Sequence, residues 1–129
     1  MRAYVGAFEI LARDPARVAD FFHAVFGWEC REVPWEGPRY FAFRSLGANA
    51  MRGGILAREE RDELATTQPL LMLHVEDATL EECLAKIVEC GGVVDLPPRA
   101  VGTMGETARF RDPEGNLFGL WRGFVSGTT

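Results

Sequence analysis

The sequence predicts an α+β fold assembled from two βαβββ modules. Three observations carry that expectation. One pattern occurs twice, as AFEILARDPARVADFFHAVFG at residues 7–27 and as LLMLHVEDATLEECLAKIVECG at residues 70–91. Each copy is an apolar strand, an Asp, a helix-period run and a Gly, and strand-like stretches follow both. The one charged, linker-like segment, REERDELATT at 58–67, falls between the copies. Module 1 is therefore expected over residues 3–57, a linker over 58–68 and module 2 over 69–122, all within a single domain spanning 1–129. A chain of 129 residues buries roughly two-thirds of its unfolded surface, so no disulfide or metal staple is needed.

The elements follow in order. Ala3–Ala12 is apolar and ends at a cap signal, which predicts a strand. Asp14 is the expected N-cap and Pro15 takes the first helical position, where a missing N–H costs nothing. Val18, Phe21, Phe22 and Val25 recur as one apolar helix face, and Gly27 ends the helix. Strands are expected at Trp28–Val33, Arg39–Ser45 and Met51–Leu56, separated by turns at Pro34–Pro38 and Gly47–Asn49. The second copy repeats the plan. Leu70–Val75 is a strand, Asp77 the N-cap, Leu80, Cys83, Leu84 and Ile87 the helix face, and Gly91-Gly92 the stop. Val93–Leu96 is a strand ended by Pro97-Pro98, and Val101–Gly105 a loop. Glu106–Arg111 and Leu117–Arg122 are strands joined by the Asp112–Asn116 turn. Gly123–Thr129 reads as a frayed tail. One helix per module covers one sheet face, which leaves the other face for a ligand or the partner half.

Composition excludes several classes. Hydrophobic residues make up 47% of the chain, which rules out a disordered chain, and the net charge is −5. No basic stripe exists to neutralise phosphates along a backbone, so no nucleic-acid partner is expected. No apolar run approaches the ~18 residues of a membrane span. MRAYVGAFEI lacks a signal-peptide core, so the expected location is cytoplasmic. Cys30, Cys83 and Cys90 form no CxxC pair and read as reduced thiols, with Cys83 and Cys90 expected to pack in the core. There is no P-loop, GxGxxG or GxSxG motif. Gly53-Gly54 reads as a close backbone approach or a bulge.

FEILARDPARVADFFHAVFGW, Gly53-Gly54-Ile55, HVEDA, the GG-VV-LPP run and FRDPEGNLFGLW together resemble the vicinal oxygen chelate superfamily. That group includes glyoxalase I, bleomycin-resistance proteins, fosfomycin-resistance proteins and extradiol dioxygenases. The resemblance spans roughly residues 3–122. It implies that the two modules form a cup-shaped mixed sheet, often completed by a second chain in a homodimer. It also implies a divalent metal held by four side chains, which map by the flanking motifs to Ala7, Gly54, Leu70 and Gly119. None of these carries a donor, and divalent metals need N, O or S ligands. No metal and no other cofactor is therefore expected.

What remains is an apolar cup with a few polar anchors, the composition of a small-molecule pocket. Strand alternation puts Glu9 on the face of Ala7, Met72 and His74 on that of Leu70, and Leu117 and Trp121 on that of Gly119. Trp35, Tyr40, Met72 and Trp121 are the candidate walls, and Glu9 and His74 the candidate anchors. Each has a plainer role beside it. Glu9 either pairs with an arginine such as Arg52 or Arg109, or stands as an inward carboxylate able to work as an acid or base. His74 is either an anchor or a hydrogen-bonding residue near the helix start, and Trp121 either core or wall. Trp28 is expected in the core and His23 in solvent. The leading expectation is a metal-independent protein that binds a small organic molecule in the cup between the modules. The alternatives are a lyase, isomerase or dioxygenase-type enzyme, metal-dependent or using Glu9 as acid or base, and an interaction module whose cup a partner chain fills.

Overall fold

The computed structural model describes residues 1–47, 50–59 and 69–124. The chain forms two compact units, Ala7–Pro69, and Met1–Gly6 together with Leu70–Thr129. Its element order is the expected βαβββ plan, twice over. No helix among the described residues is long and apolar enough to cross a membrane.

In the first unit, strand β1 (Ala3–Ala12) contributes its Ala7–Ala12 part. Helix α1 (Pro15–Phe26) and strands β2 (Glu29–Glu32), β3 (Tyr40–Arg44) and β4 (Arg52–Ala57) follow. The strand order is β2-β3-β4-β1, with β1 and β4 parallel and the other pairs antiparallel. Alternation sorts the side chains onto two faces. Phe8, Ile10, Ala12, Cys30, Phe41, Phe43 and Ile55 join Val18 and Ala19 of α1 in one apolar cluster. Trp28 lies stacked between Phe22 and Phe43, with ring centroids 4.6 and 4.7 Å away, which is the expected core role. Asp14 caps α1 by accepting the Arg17 N–H at 3.1 Å. Gly27 closes it at φ 73, a left-handed position that favours glycine.

The buried side of α1 differs from the expected one. Pro15 and Ala19 are buried, Val18 and Phe22 half-buried, whereas Phe21 and Val25 are each 56% exposed. The two apolar stripes on α1 share Val18 and Phe22, so periodicity alone does not separate them. Small Ala19 lets the helix approach the sheet, and Phe21 and Val25 turn outward as a result.

In the second unit, Met1–Gly6 accompanies strand β5 (Leu70–Val75), helix α2 (Leu80–Glu89) and strands β6 (Val93–Val101), β7 (Gly105–Arg111) and β8 (Leu117–Gly123). The order is β5-β8-β7-β6, with β5 and β8 parallel. Val75, Leu80, Cys83, Leu84, Ala108, Phe110 and Leu120 form the core, with Ile87 packed against it. Burying each large aliphatic side chain here contributes about 1.5–3 kcal/mol. The Asp112–Asn116 segment is a hairpin turn. The Asp112 carboxylate accepts from the backbone N–H groups of Glu114 and Asn116 and from the Asn116 side chain.

Three expectations in this unit are corrected. The α2 N-cap is Thr79, not Asp77. Thr79 and Glu82 form a reciprocal capping box, while Asp77 accepts the Arg2 backbone N–H at 2.6 Å. Strand β6 does not stop at Pro97-Pro98 but runs on to Val101, the start of the expected loop. It is the edge strand, and register shifts on both sides of Leu96 place the prolines where no ladder bond is needed. Cys83 is buried as expected, but Cys90 is exposed because it follows the last turn of α2. Most of the expected linker, the end of the turn at Ala48-Asn49 and most of the tail lie outside the described residues.

Candidate functional site

Each module has one sheet face without a helix. In the first unit the register rungs define it. Arg44 and Arg52 are directly opposite, then Ala42 and Gly54, then Tyr40 and Leu56. Ala7, Glu9 and Leu11 of β1 pair with Arg52, Gly54 and Leu56. Arg31 of β2 pairs with Ala42. All of these lie on the side opposite the Phe8–Ile55–Phe43 cluster, since partners in a ladder share a face.

Glu9 therefore stands beside Gly54, and the Tyr40 ring folds over that glycine; a β-carbon there would meet the ring. Burial and the nearby Glu9 charge push the Tyr40 phenol well above its ordinary value. Tyr40 is thus a neutral hydroxyl, able to donate a hydrogen bond but not to ionise. Trp35 meets Tyr40 edge-on at 6.4 Å, and its indole N–H donates to the Pro38 carbonyl at 2.7 Å. Trp35 is consequently a fixed wall, with its N–H already committed. Arg52, a proposed partner for Glu9, makes no ion pair among the described residues.

In the second unit the helix-free face carries Met72 opposite Gly119 and His74 opposite Trp121. Across β7 it continues through Thr107, opposite Trp121, and Arg109, opposite Gly119. Met72 is buried and lies over Gly119. Trp121 is half-buried and covers Gly105. His74 covers Gly6, with its ring 5.5 Å from that of Tyr4. Burial lowers its pKa, so the imidazole is neutral near pH 7. Thr107 spends its hydroxyl on the Leu120 carbonyl at 3.0 Å. Arg109 is only 3% exposed on this face. Of the six residues singled out from the sequence, Glu9, Tyr40 and Trp35 lie in one unit and Met72, His74 and Trp121 in the other.

The four positions where the resemblance puts metal ligands do not fit a metal ion. Ala7, Gly54, Leu70 and Gly119 have no donors, and the Tyr40 ring and the Met72 thioether lie over the two glycines. Among the described residues no group of three or more His, Cys, Asp or Glu side chains is placed to hold a metal elsewhere.

Sequence reasoning missed Arg31 and Arg44, and named Arg52 and Arg109 only as partners for Glu9. The signal was present. Extending the Tyr40–Ala42 alternation by one step reaches Arg44, and extending Leu117–Gly119 across the hairpin reaches Arg109.

Known proteins share this architecture. The profile of the family described as glyoxalase-like domain matches residues 7–121. A comparison with curated proteins finds no match. Among solved structures, a hypothetical protein from Bacillus halodurans C-125 is similar with a TM-score of 0.71 at 11% identity, covering 100% of both chains. Methylmalonyl-CoA epimerase from Streptomyces coelicolor, solved with 2-nitronate-propionyl-CoA, gives 0.70 at 17% identity over 95% of both chains. The Mycobacterium tuberculosis methylmalonyl-CoA epimerase gives 0.66 at 16% identity, over 92% of this chain and 86% of that one. At these identities the likeness is one of fold.

Proposed function

The chain belongs to the glyoxalase-like domain family, within the vicinal oxygen chelate superfamily, and from that premise we propose that it binds a small organic molecule without a metal ion. One observation carries this reading. None of the four positions where the family places metal donors has one, and at two of them, Gly54 and Gly119, Tyr40 and Met72 occupy the space above the glycine. The helix-free faces are thereby converted from a coordination site into apolar and aromatic walls. Mostly apolar walls with a few polar groups are the usual make-up of a small-molecule site. In the first unit those polar groups are Glu9 and the Tyr40 hydroxyl; in the second they are His74 and Arg109. That related folds hold CoA esters agrees with a ligand of organic-acid type, but fold alone does not transfer chemistry.

The proposed assembly is a homodimer in the cytoplasm. Phe21, Val25 and Phe26, each 56% exposed, are side chains that a second copy would cover. Light scattering on the purified chain tests that part, and a monomer at micromolar concentration would contradict it.

A second reading makes Glu9 an acid or base in an isomerase- or lyase-type reaction. It is favoured by the position of Glu9 beside Gly54, the glycine that the Tyr40 ring covers. Glu9→Gln would then abolish turnover of a substrate while leaving its binding intact.

The leading reading is tested by a thermal-shift screen of small organic acids, alcohols and amines on chelator-treated protein. A ligand selective for the native state raises the melting temperature. Hits that survive chelation support metal-free binding. Hits that appear only when a divalent metal is restored would overturn it.

A further inference from the structure

We propose that Arg31, Arg44 and Arg52 form the subsite for the phosphate or carboxylate end of an amphipathic organic ligand, whose apolar body lies toward Tyr40. This rests on the ligand-binding reading above and names the chemistry of the ligand. Three successive rungs of the β3–β4 ladder change character in order: Arg44 with Arg52, Ala42 with Gly54, Tyr40 with Leu56. The rungs run from basic through small to apolar. Side chains on one face repeat about every 6.8 Å, so the basic and apolar rungs stand roughly 13 Å apart along the strands. The Tyr40 ring folds back over Gly54, so the body of such a ligand meets an aromatic surface on the way.

The basic rung is unusual in its own right. Like charges directly opposite in a ladder repel, yet Arg44 and Arg52 are direct partners. Arg31 lies diagonally across from Arg44, opposite Ala42. All three are exposed, and none makes an ion pair or side-chain hydrogen bond with a described residue. Glu29 is opposite Arg44, but the two do not form an ion pair. By contrast, Arg39 nearby does pair, with Glu32 at 2.6 Å. The chain is acidic overall, at −5, so three guanidinium groups on one face with no ion pair to a described residue run against its general charge. Guanidinium forks match carboxylate and phosphate oxygens in bidentate geometry. The residues beside them, Ala7 and Ala42, are small, and the third neighbour, Gly54, is covered by the Tyr40 ring. A bound oxyanion would offset the repulsion that the free protein bears.

The test is calorimetric titration of the full chain with phenyl phosphate, benzoate, phenol and inorganic phosphate at low and high salt. Wild type is compared with Arg44→Gln and Arg52→Gln, both surface changes. Phenyl phosphate or benzoate should bind at least about tenfold more tightly than phenol and than inorganic phosphate, and salt should weaken it. Each Gln variant should lose about tenfold in that affinity, while its melting temperature at low salt is unchanged or raised because repulsion is relieved. Equal binding of phenol overturns the subsite and leaves metal-free binding standing. Equal binding of inorganic phosphate overturns the amphipathic class. Unchanged affinity in both variants, or no binding of any of the four probes, also overturns the inference. In the last case the broader screen above still decides the metal-free reading.

Discussion

Replacing Gly54 with alanine is expected to destabilise the fold through one identifiable collision. A β-carbon at this position would approach the Tyr40 phenolic oxygen to 2.5 Å and ring carbon Cζ to 2.6 Å. Ordinary contact needs about 3.5–4.0 Å, so the ring must move. Its retreat is opposed by Trp35, whose indole is tied to the Pro38 carbonyl. Overpacking of this kind costs about 1–3 kcal/mol. Glycine-to-alanine changes gain about 0.4–1 kcal/mol by restricting the unfolded chain. The net loss is therefore about 0.5–2 kcal/mol, read as a lower urea midpoint with an unchanged slope. The collision has a specific partner, so the Tyr40→Ala background should remove it. There the same Gly54→Ala change should be neutral or stabilising, giving a coupling of about 1–3 kcal/mol in a double-mutant cycle. A Gly54→Ala variant as stable as wild type, with the same effect in both backgrounds, would refute the placement of the Tyr40 ring over the glycine.

Other expectations are simpler. Thr79→Ala should lower stability by about 0.5–2 kcal/mol in urea denaturation through loss of the capping box, whereas Asp77→Ala should leave the start of α2 intact. His74 should make stability acid-sensitive. Its folded pKa lies below the ordinary 6.5 because of burial, so the unfolded chain binds the proton first as pH falls. The stability it confers is complete above 6.5 and lost as pH drops through the folded value. His74→Gln should flatten that part of a melting-temperature profile, and an unchanged profile would contradict it. A thiol reagent should label Cys90 in the native state, whereas buried Cys83, with its thiol pKa raised by burial, should react only on unfolding. Equal labelling rates would speak against this burial pattern.

Much of this architecture is legible from local rules. The Asp14 cap, Pro15 and Gly27 act within a single helix, and the Leu80–Ile87 face has no competing stripe, so each is fixed by nearby residues. What failed depended on tertiary context. Two overlapping apolar stripes on α1 are equivalent until a sheet selects Ala19 over Phe21. Pro97-Pro98 reads as a strand end unless β6 is known to be the edge strand. Asp77 and Thr79 are both good caps, and the Arg2 backbone N–H, far away in sequence, is the partner that claims Asp77. At the site, alternation assigned Glu9, Met72, His74 and Trp121 to faces correctly. It did not show that Tyr40 and Met72 lie over Gly54 and Gly119, because the direction of a side chain across a ladder depends on register. The arginine rung was hidden for the same reason: Arg44 and Arg52 become neighbours only when β3 and β4 are paired.

The central claim is that ligand binding here needs no metal. The most direct measurement is the affinity of the best small-molecule hit for protein stripped by a chelator, compared with the same protein given excess Zn, Ni, Mn or Fe. Equal affinity is expected in both samples, with less than stoichiometric metal in the protein as purified. A metal retained at one per chain, with affinity lost on its removal and recovered on its return, would contradict it.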